Sequence, residues 1–373
     1  MPGGRALIRR LAIVALIALS CAVPAQAEPL ARPGAVVDVV PLQRDRWLPG
    51  AADASLVKYW TTGPLGTPAL STGAIWIPPG TPPPGGWPVL SWGHEATGLG
   101  DDCAPTVNGD INFDYLQRWL AQGYAIVATD YVGLGTPGIH PYLDGRSEAH
   151  SVIDMVRAAR AVEPSLSSRW AAFGQSQGGQ AALVTASMAT TYAPDLDFRG
   201  AVATGPPSNL ENLAFLGGPG FPDVPVKGFN VYVTYILASM RAVHPELDID
   251  SYLTPFGRTV LDEVETICIF EAADRLEGIG IGSLLSRQLD DPKLLAALRD
   301  WLAIPTRGYA RPFFIGQGLL DPTVPAPLTF TLASELATNG QPMTFRTYPT
   351  GHNATTIASL PDATDFMRQL FAR

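Results

Sequence analysis

The chain has 373 residues, 46% of them hydrophobic and 16% charged, with a formal net charge of −9 at pH 7. That length allows one domain with a large core plus an insertion, and the acidity argues against a nucleic-acid partner, whose phosphates need a basic face. The five histidines are scattered and there is no C-x-x-C pair or H-E-x-x-H stretch, so no metal site and no other cofactor is expected.

At the start, Arg5, Arg9 and Arg10 precede the apolar run LAIVALIALS, and AQA at 25–27 has the small-x-small form of a secretory cleavage site. Residues 1–27 therefore read as a signal peptide, and the apolar run falls short of the ~20 residues of a membrane span. Removing it leaves 346 residues (373 − 27) and a net charge of −12 (−9 less three arginines). The product is expected outside the cytoplasm, periplasmic or fully secreted. Two cysteines then remain, Cys103 and Cys268. In an exported chain a lone pair suggests one disulfide, the alternative being two separate buried thiols.

Strands and helices alternate along most of the chain. VKYW and ALSTGAIWI suggest an opening pair of strands, and the Pro-rich PPGTPPPGGWP is a loop. VLSWGH is expected as the third strand. DYLQRWLAQG follows as an amphipathic helix stopped by Gly123, then YAIVATD as a strand buried on both faces. EAHSVIDMVRAARAV reads as helix, WAAFG as strand, GGQAALVTASMA as helix and FRGAVATG as strand. RPFFIGQG and MTFRTYPTG are again strand-like, and a helix closes the chain from about residue 362 to 371. This rhythm predicts an α/β fold with a mainly parallel sheet covered on both faces. From 207 to 305 the rhythm breaks into helical segments (VYVTYILASMRAV, SLLSRQL, DPKLLAALRDWLA). The core would thus comprise 28–206 and 306–373, with 207–305 inserted as a helical cap or lid, since function tends to sit on connections.

GQSQGG at 174–179 places Ser176 between glycines, after an apolar strand and at the start of a helix. That context makes G-x-S-x-G a candidate nucleophile elbow, because strand and helix crowd at the turn and a Cβ at Gly174 or Gly178 would collide. A serine hydroxyl needs a base, and the base an orienting acid. On such sheets they follow in the order Ser, acid, His, each past a later strand. Asp321 in LLDPTVP and His352 in GHNATT fit, both expected in loops, with 31 residues between them (352 − 321), room for one helix and one strand. Asp291 is a weaker rival that suits a helix N-terminus, and Asp130 is out of order and reads as structural. His94, His140 and His150 precede the serine and read as hydrogen-bonding scaffold. An oxyanion site would take the backbone N–H of Gln177, whose side chain is given no role, and a second N–H from HEATG (94–98), at Ala96 or at its competitor Glu95.

The stretch GYAIVATDYVGLGTPGIHPYLDGRSEAHSVIDMVRAAR with GQSQGGQAAL, DDCAPT, GQGLLDPTVP and YPTGHNATT resembles the secretory lipase family. The resemblance implies an α/β-hydrolase fold, a helical cap over the site, and a triad of Ser176, Asp321 and His352. It implies hydrolysis of carboxylic esters with long or medium acyl chains, acyl transfer to alcohols, and transient contact with a lipid interface. It also implies a bridge from Cys103, in the family-like D-C-A-P, to Cys268 in the cap. HEATG departs from the family, where a glycine-containing H-G-T-like loop is expected. A serine peptidase or amidase on the same scaffold, and a non-catalytic cell-envelope binding protein, are the competing classes.

Overall fold

The computed structural model describes residues 31–222 and 228–372, so the expected signal peptide lies outside the described residues. Its centre is a nine-stranded sheet in the order β1-β2-β3-β5-β4-β6-β7-β8-β9. The first strands, β1 (Val36–Pro41), β2 (Asp53–Thr62) and β3 (Pro68–Ile77), form an antiparallel meander. β3 also pairs antiparallel with β5 (Ala125–Val132). From β5 onward through β4 (Trp87–Gly93), β6 (Leu166–Gln175), β7 (Asp197–Thr204), β8 (Phe313–Gly318) and β9 (Met343–Tyr348) every pairing is parallel. β1 was not expected from the sequence. Its VVDVVP lies at the sheet edge and is mostly exposed, so burial leaves no alternation to read. VLSWGH is consequently the fourth strand, not the third.

Short α1 (Pro105–Asn108) and α2 (Phe113–Leu120) follow β4, and Gly123, at φ +86°, turns the chain from α2 into β5. α3 (Gly145–Val162) leads into β6, and α4 (Gln177–Tyr192) into β7. α3 and α4 cover one face, where Val152, Met155, Leu183 and Ala186 pack against Val127, Trp170 and Ala172 of the sheet. On the other face Leu116 and Trp119 of α2 join Trp92, Phe173 and Phe314. Wholly buried Trp170, Ala171, Ala172 and Phe173 account for the unbroken apolar run of β6, as a central parallel strand requires.

Between β7 and β8 the described residues contain no strand. Helices α5 (Phe229–Val243), α6 (Pro255–Val264), α7 (Ile269–Arg275), α8 (Ile281–Leu284) and α9 (Pro292–Leu302) build a separate apolar cluster there, which also takes Leu99, Tyr142 and Leu143 from the sheet connections. SLLSRQL is not the helix its spacing suggested. After the single turn of α8, Leu285 pairs with Leu253 and the Ser286 N–H donates to the Tyr252 carbonyl at 2.8 Å, so the backbone is committed to a bridge. α9 begins where Asp291 caps it, accepting from the N–H groups of Lys293 (2.8 Å) and Leu294 (3.3 Å). The carboxylate considered as a rival acid is spent there.

A disulfide joins Cys103 to Cys268, 165 residues apart, and Ile269 N–H donates to the Thr97 carbonyl at 2.8 Å beside it. Closing so long a loop stabilises the fold by on the order of 5 kcal/mol in the chain-entropy account. After β8 come α10 (Ala326–Thr338), β9, α11 (His352–Ala358) and α12 (Leu360–Ala372). α11 was not foreseen, and His352 opens that helix instead of lying in a loop.

Candidate active site

β4 is followed in the chain by β5 on one side of it and by β6 on the other, so the strand order reverses at the β4/β6 junction. The carboxyl ends of the strands open into a crevice at such a point. HEATG leaves β4 there, and Ser176 leaves β6 at φ 56°, ψ −122°, a backbone rarely adopted outside glycine. Ser176 N–H is anchored to the Thr204 carbonyl at 2.9 Å, and its hydroxyl forms no cap bond to its own helix. The glycines are obligatory for contact reasons. A Cβ on Gly178 would overlap the Gly93 carbonyl and one on Gly174 would overlap the Gly178 carbonyl, so β4, β6 and α4 touch backbone to backbone.

Asp321 and His352 meet beside the β7 end. His352 Nδ1–H donates to Asp321 Oδ2 at 2.6 Å, with the Asp321 side chain fully enclosed. The other carboxylate oxygen, Oδ1, accepts from the N–H groups of Thr323 (2.9 Å) and Val324 (2.8 Å), which fixes its orientation. His352 Nε2 is enclosed and makes no hydrogen bond among the described residues, leaving the basic nitrogen uncommitted. Gly205 escaped the sequence reading. At φ +54° it lies against this pair, and a Cβ there would sit 3.0 Å from His352 Cε1 and 3.1 Å from Nδ1. Its only sequence signal is its place directly after β7.

Asp130 is structural, since Oδ1 accepts from Thr106 N–H (3.0 Å), and Oδ2 from the hydroxyls of Thr72 (2.7 Å) and Thr106 (2.6 Å). The three histidines ahead of the serine each face a main-chain carbonyl, of Glu95 for His94, Val132 for His140 and Thr62 for His150. Burial lowers them to about 4, 3 and 4 in that order, so they are neutral at pH 7.

The family profile described as secretory lipase matches residues 102–373, the stretch that carries Ser176, Asp321 and His352. The chain belongs to the secretory lipase family. Proteins that resemble it include lipase A of Moesziomyces aphidis, 24% identical over 348 residues that cover 84% of this chain and 71% of that protein. A protein of Mycobacterium tuberculosis described as a probable inactive lipase is 24% identical over 261 residues, covering 65% of this chain and 56% of its own. Among solved structures, Candida antarctica lipase A superimposes with a TM-score of 0.75 at 21% identity, covering 91% of this chain and 82% of that one. The rice cell wall degrading esterase of Xanthomonas oryzae does so at 0.69, with 20% identity and 86% and 91% coverage. The fold shared with these lipases and esterases is the α/β-hydrolase fold.

In this member of the family the loop HEATG is braced by His94, whose Nδ1 lies 2.6 Å from the Glu95 carbonyl oxygen and whose ring packs on Tyr131 at 4.4 Å. Ala96 packs against the apolar cluster of the insertion. Glu95 Oε2 is enclosed without a hydrogen-bond partner among the described residues. Burial raises this carboxyl to about 7, with the nearby Asp110 pushing the same way and His352 opposing. Its proton is thus held more tightly in the folded chain than at the ordinary 4.5. The stability this gives is complete below pH 4.5 and is lost as the pH rises through 7. Thermal melts of wild type and Glu95→Gln should coincide near pH 4.5 and separate by pH 8, with the variant more stable by roughly 3 kcal/mol. Parallel curves across that range would remove the buried-carboxyl account.

The Gln177 side chain, given no role by the sequence, has partners of its own. It is buried and bonded at both amide hydrogens, to His140 Nε2 at 2.7 Å and Glu148 Oε1 at 2.8 Å.

Proposed function

We propose that the chain is a secreted serine hydrolase, a lipase or carboxylesterase in which Ser176 is the nucleophile, His352 the base and Asp321 the acid that orients it. The observation that carries this is the Asp321–His352 pair, bonded at 2.6 Å past β8 and β9, together with the strained turn that holds Ser176 past β6 of the same sheet. In the proposed reaction Ser176 Oγ attacks the ester carbonyl while its proton passes to His352 Nε2. Asp321 holds the imidazole in the tautomer that leaves Nε2 free and stabilises the imidazolium. The N–H groups of Gln177 and Ala96 take the tetrahedral oxyanion, with Glu95 N–H the rival second donor. The alcohol departs with the proton from His352, and water repeats the sequence to release the carboxylic acid. A second alcohol in place of water would give acyl transfer.

The insertion 207–305 is read as a cap whose inner surface meets the acyl chain, which suits an acylglycerol or similar lipid ester. Three measurements test the reading. A fluorophosphonate probe should label the folded protein once, at Ser176. Among p-nitrophenyl esters from acetate to palmitate, turnover should peak at medium or long chains and rise at an oil–water interface. A matched anilide should be cleaved far more slowly than its ester. Faster anilide cleavage would make the chain a peptidase or amidase, strict acetate preference would remove the lipase assignment, and absence of labelling would make it a non-catalytic relative.

A further inference from the structure

The Gln177 side chain stands in a buried polar cluster beneath the proposed oxyanion donor. Gln177 is the first residue of α4, and its buried side-chain amide bonds to His140 and to Glu148 of α3. His140 Nδ1–H donates to the Val132 carbonyl at 2.9 Å, so Nε2 carries the lone pair that accepts from Gln177. Glu148 Oε1 accepts twice, from Gln177 Nε2 at 2.8 Å and from Leu143 N–H at 2.8 Å. His140 and Glu148 have wholly enclosed side chains, and Leu143 is held at φ +60°, a conformation that costs a branched residue energy. An apolar trio would fill this volume at lower desolvation cost, so the cluster's value lies in the geometry it fixes.

The segment 139–144 that carries His140 is also where the insertion is fastened. Ser239 of α5 donates its hydroxyl to the His140 carbonyl at 2.8 Å and accepts from Tyr142 N–H at 3.1 Å. Trp301 of α9 donates Nε1–H to the Tyr142 carbonyl at 2.8 Å. Gln180, one turn along α4, donates to the Leu302 carbonyl at 2.7 Å.

We propose that His140, Glu148 and the side chain of Gln177 are positioning residues that aim the Gln177 N–H at the oxyanion, and that the insertion seats on the same segment and so contributes to that aim. The inference rests on the assignment of Ser176 and Gln177 above. A donor displaced by about 1 Å loses much of its effect on the tetrahedral intermediate while ground-state binding hardly changes.

The test measures kcat and KM for a p-nitrophenyl ester, per serine titrated with a fluorophosphonate, beside the inhibition constant of an alkyl boronic acid. The boronate becomes tetrahedral and anionic on the serine and needs the same donor. Gln177→Ala and Glu148→Leu should each lower kcat by about 10- to 100-fold, weaken the boronate in proportion, and leave KM within about threefold. Glu148→Gln keeps the Oε1 acceptor and should restore kcat to within about threefold of wild type. Ser239→Ala and Trp301→Phe, which lie in the insertion, should lower kcat and boronate affinity together by a few-fold.

A purely structural role would instead lower the fraction of serine titrated and leave kcat per titrated site unchanged, which overturns the proposal. So does a fall in kcat with boronate affinity intact. If Gln177→Ala does not accumulate as folded protein, the Glu148→Leu and Glu148→Gln pair decides, and equal kcat for the two overturns it. Failure of wild type itself to be labelled would overturn the underlying assignment of Ser176 instead.

Discussion

Ser176→Ala should lower kcat for a p-nitrophenyl ester by roughly 10⁴- to 10⁶-fold while the thermal melt stays within about 1 kcal/mol of wild type. Alanine keeps the Cβ, so the elbow retains its φ of 56° and the bond from residue 176 N–H to Thr204. The hydroxyl that is lost makes no cap bond to its helix, and its removal therefore deletes the proposed nucleophile and little else. Asp321→Asn makes an instructive partner. Its carbonyl oxygen can still accept from Thr323 and Val324, which turns the new amide toward His352 Nδ1. A donor now faces a donor, the imidazole must adopt the other tautomer, and Nε2 no longer accepts the serine proton. A loss of about 10⁴-fold in kcat is expected with the fold intact. Turnover within tenfold of wild type in either variant would remove the triad.

The second large effect is on folding. Gly178→Ala places a methyl group into the Gly93 carbonyl, with the His94 carbonyl 2.9 Å away. Neither neighbour is a flexible side chain, so β4 and α4 must part along the contact that sets the elbow. A loss of more than about 4 kcal/mol is expected, visible as insoluble expression or a melt lowered by roughly 10 °C. Gly220→Ala is the control: among the described residues nothing lies within 4 Å of a Cβ there, and its melt should not move. Equal melts for both variants would show that the elbow can relax.

The central strands and their helices were legible because burial writes itself into composition. β5 and the later part of β6 are enclosed on both faces and read as apolar runs, and α2 and α9 announce themselves by amphipathic spacing and by the Gly123 and Asp291 boundaries. β1 was not legible, since a largely exposed edge strand carries no inward face. α11 was missed because a seven-residue helix directly after Gly351 looks like the rest of the loop. In the candidate site, the residues proposed to act by side-chain chemistry are ones whose type and order are visible in the sequence. Those that act by allowing or aiming something are not. Gly205 matters for a Cβ it lacks, and His140 and Glu148 meet Gln177 across 37 and 29 residues of sequence with no spacing rule to join them.

The 165-residue span of the disulfide imposes an order of assembly. A chain delivered from its N-terminus presents Cys103 early, and this thiol must wait for 165 further residues before its partner emerges. Cys268 in turn precedes Asp321 and His352, so the loop beside HEATG can be tied to the insertion before either residue is delivered. A copy retained where thiols stay reduced would complete its sheet but leave that tie open. In an oxidising space the tie can close, and the insertion is then held beside HEATG by a covalent bond and not by packing alone.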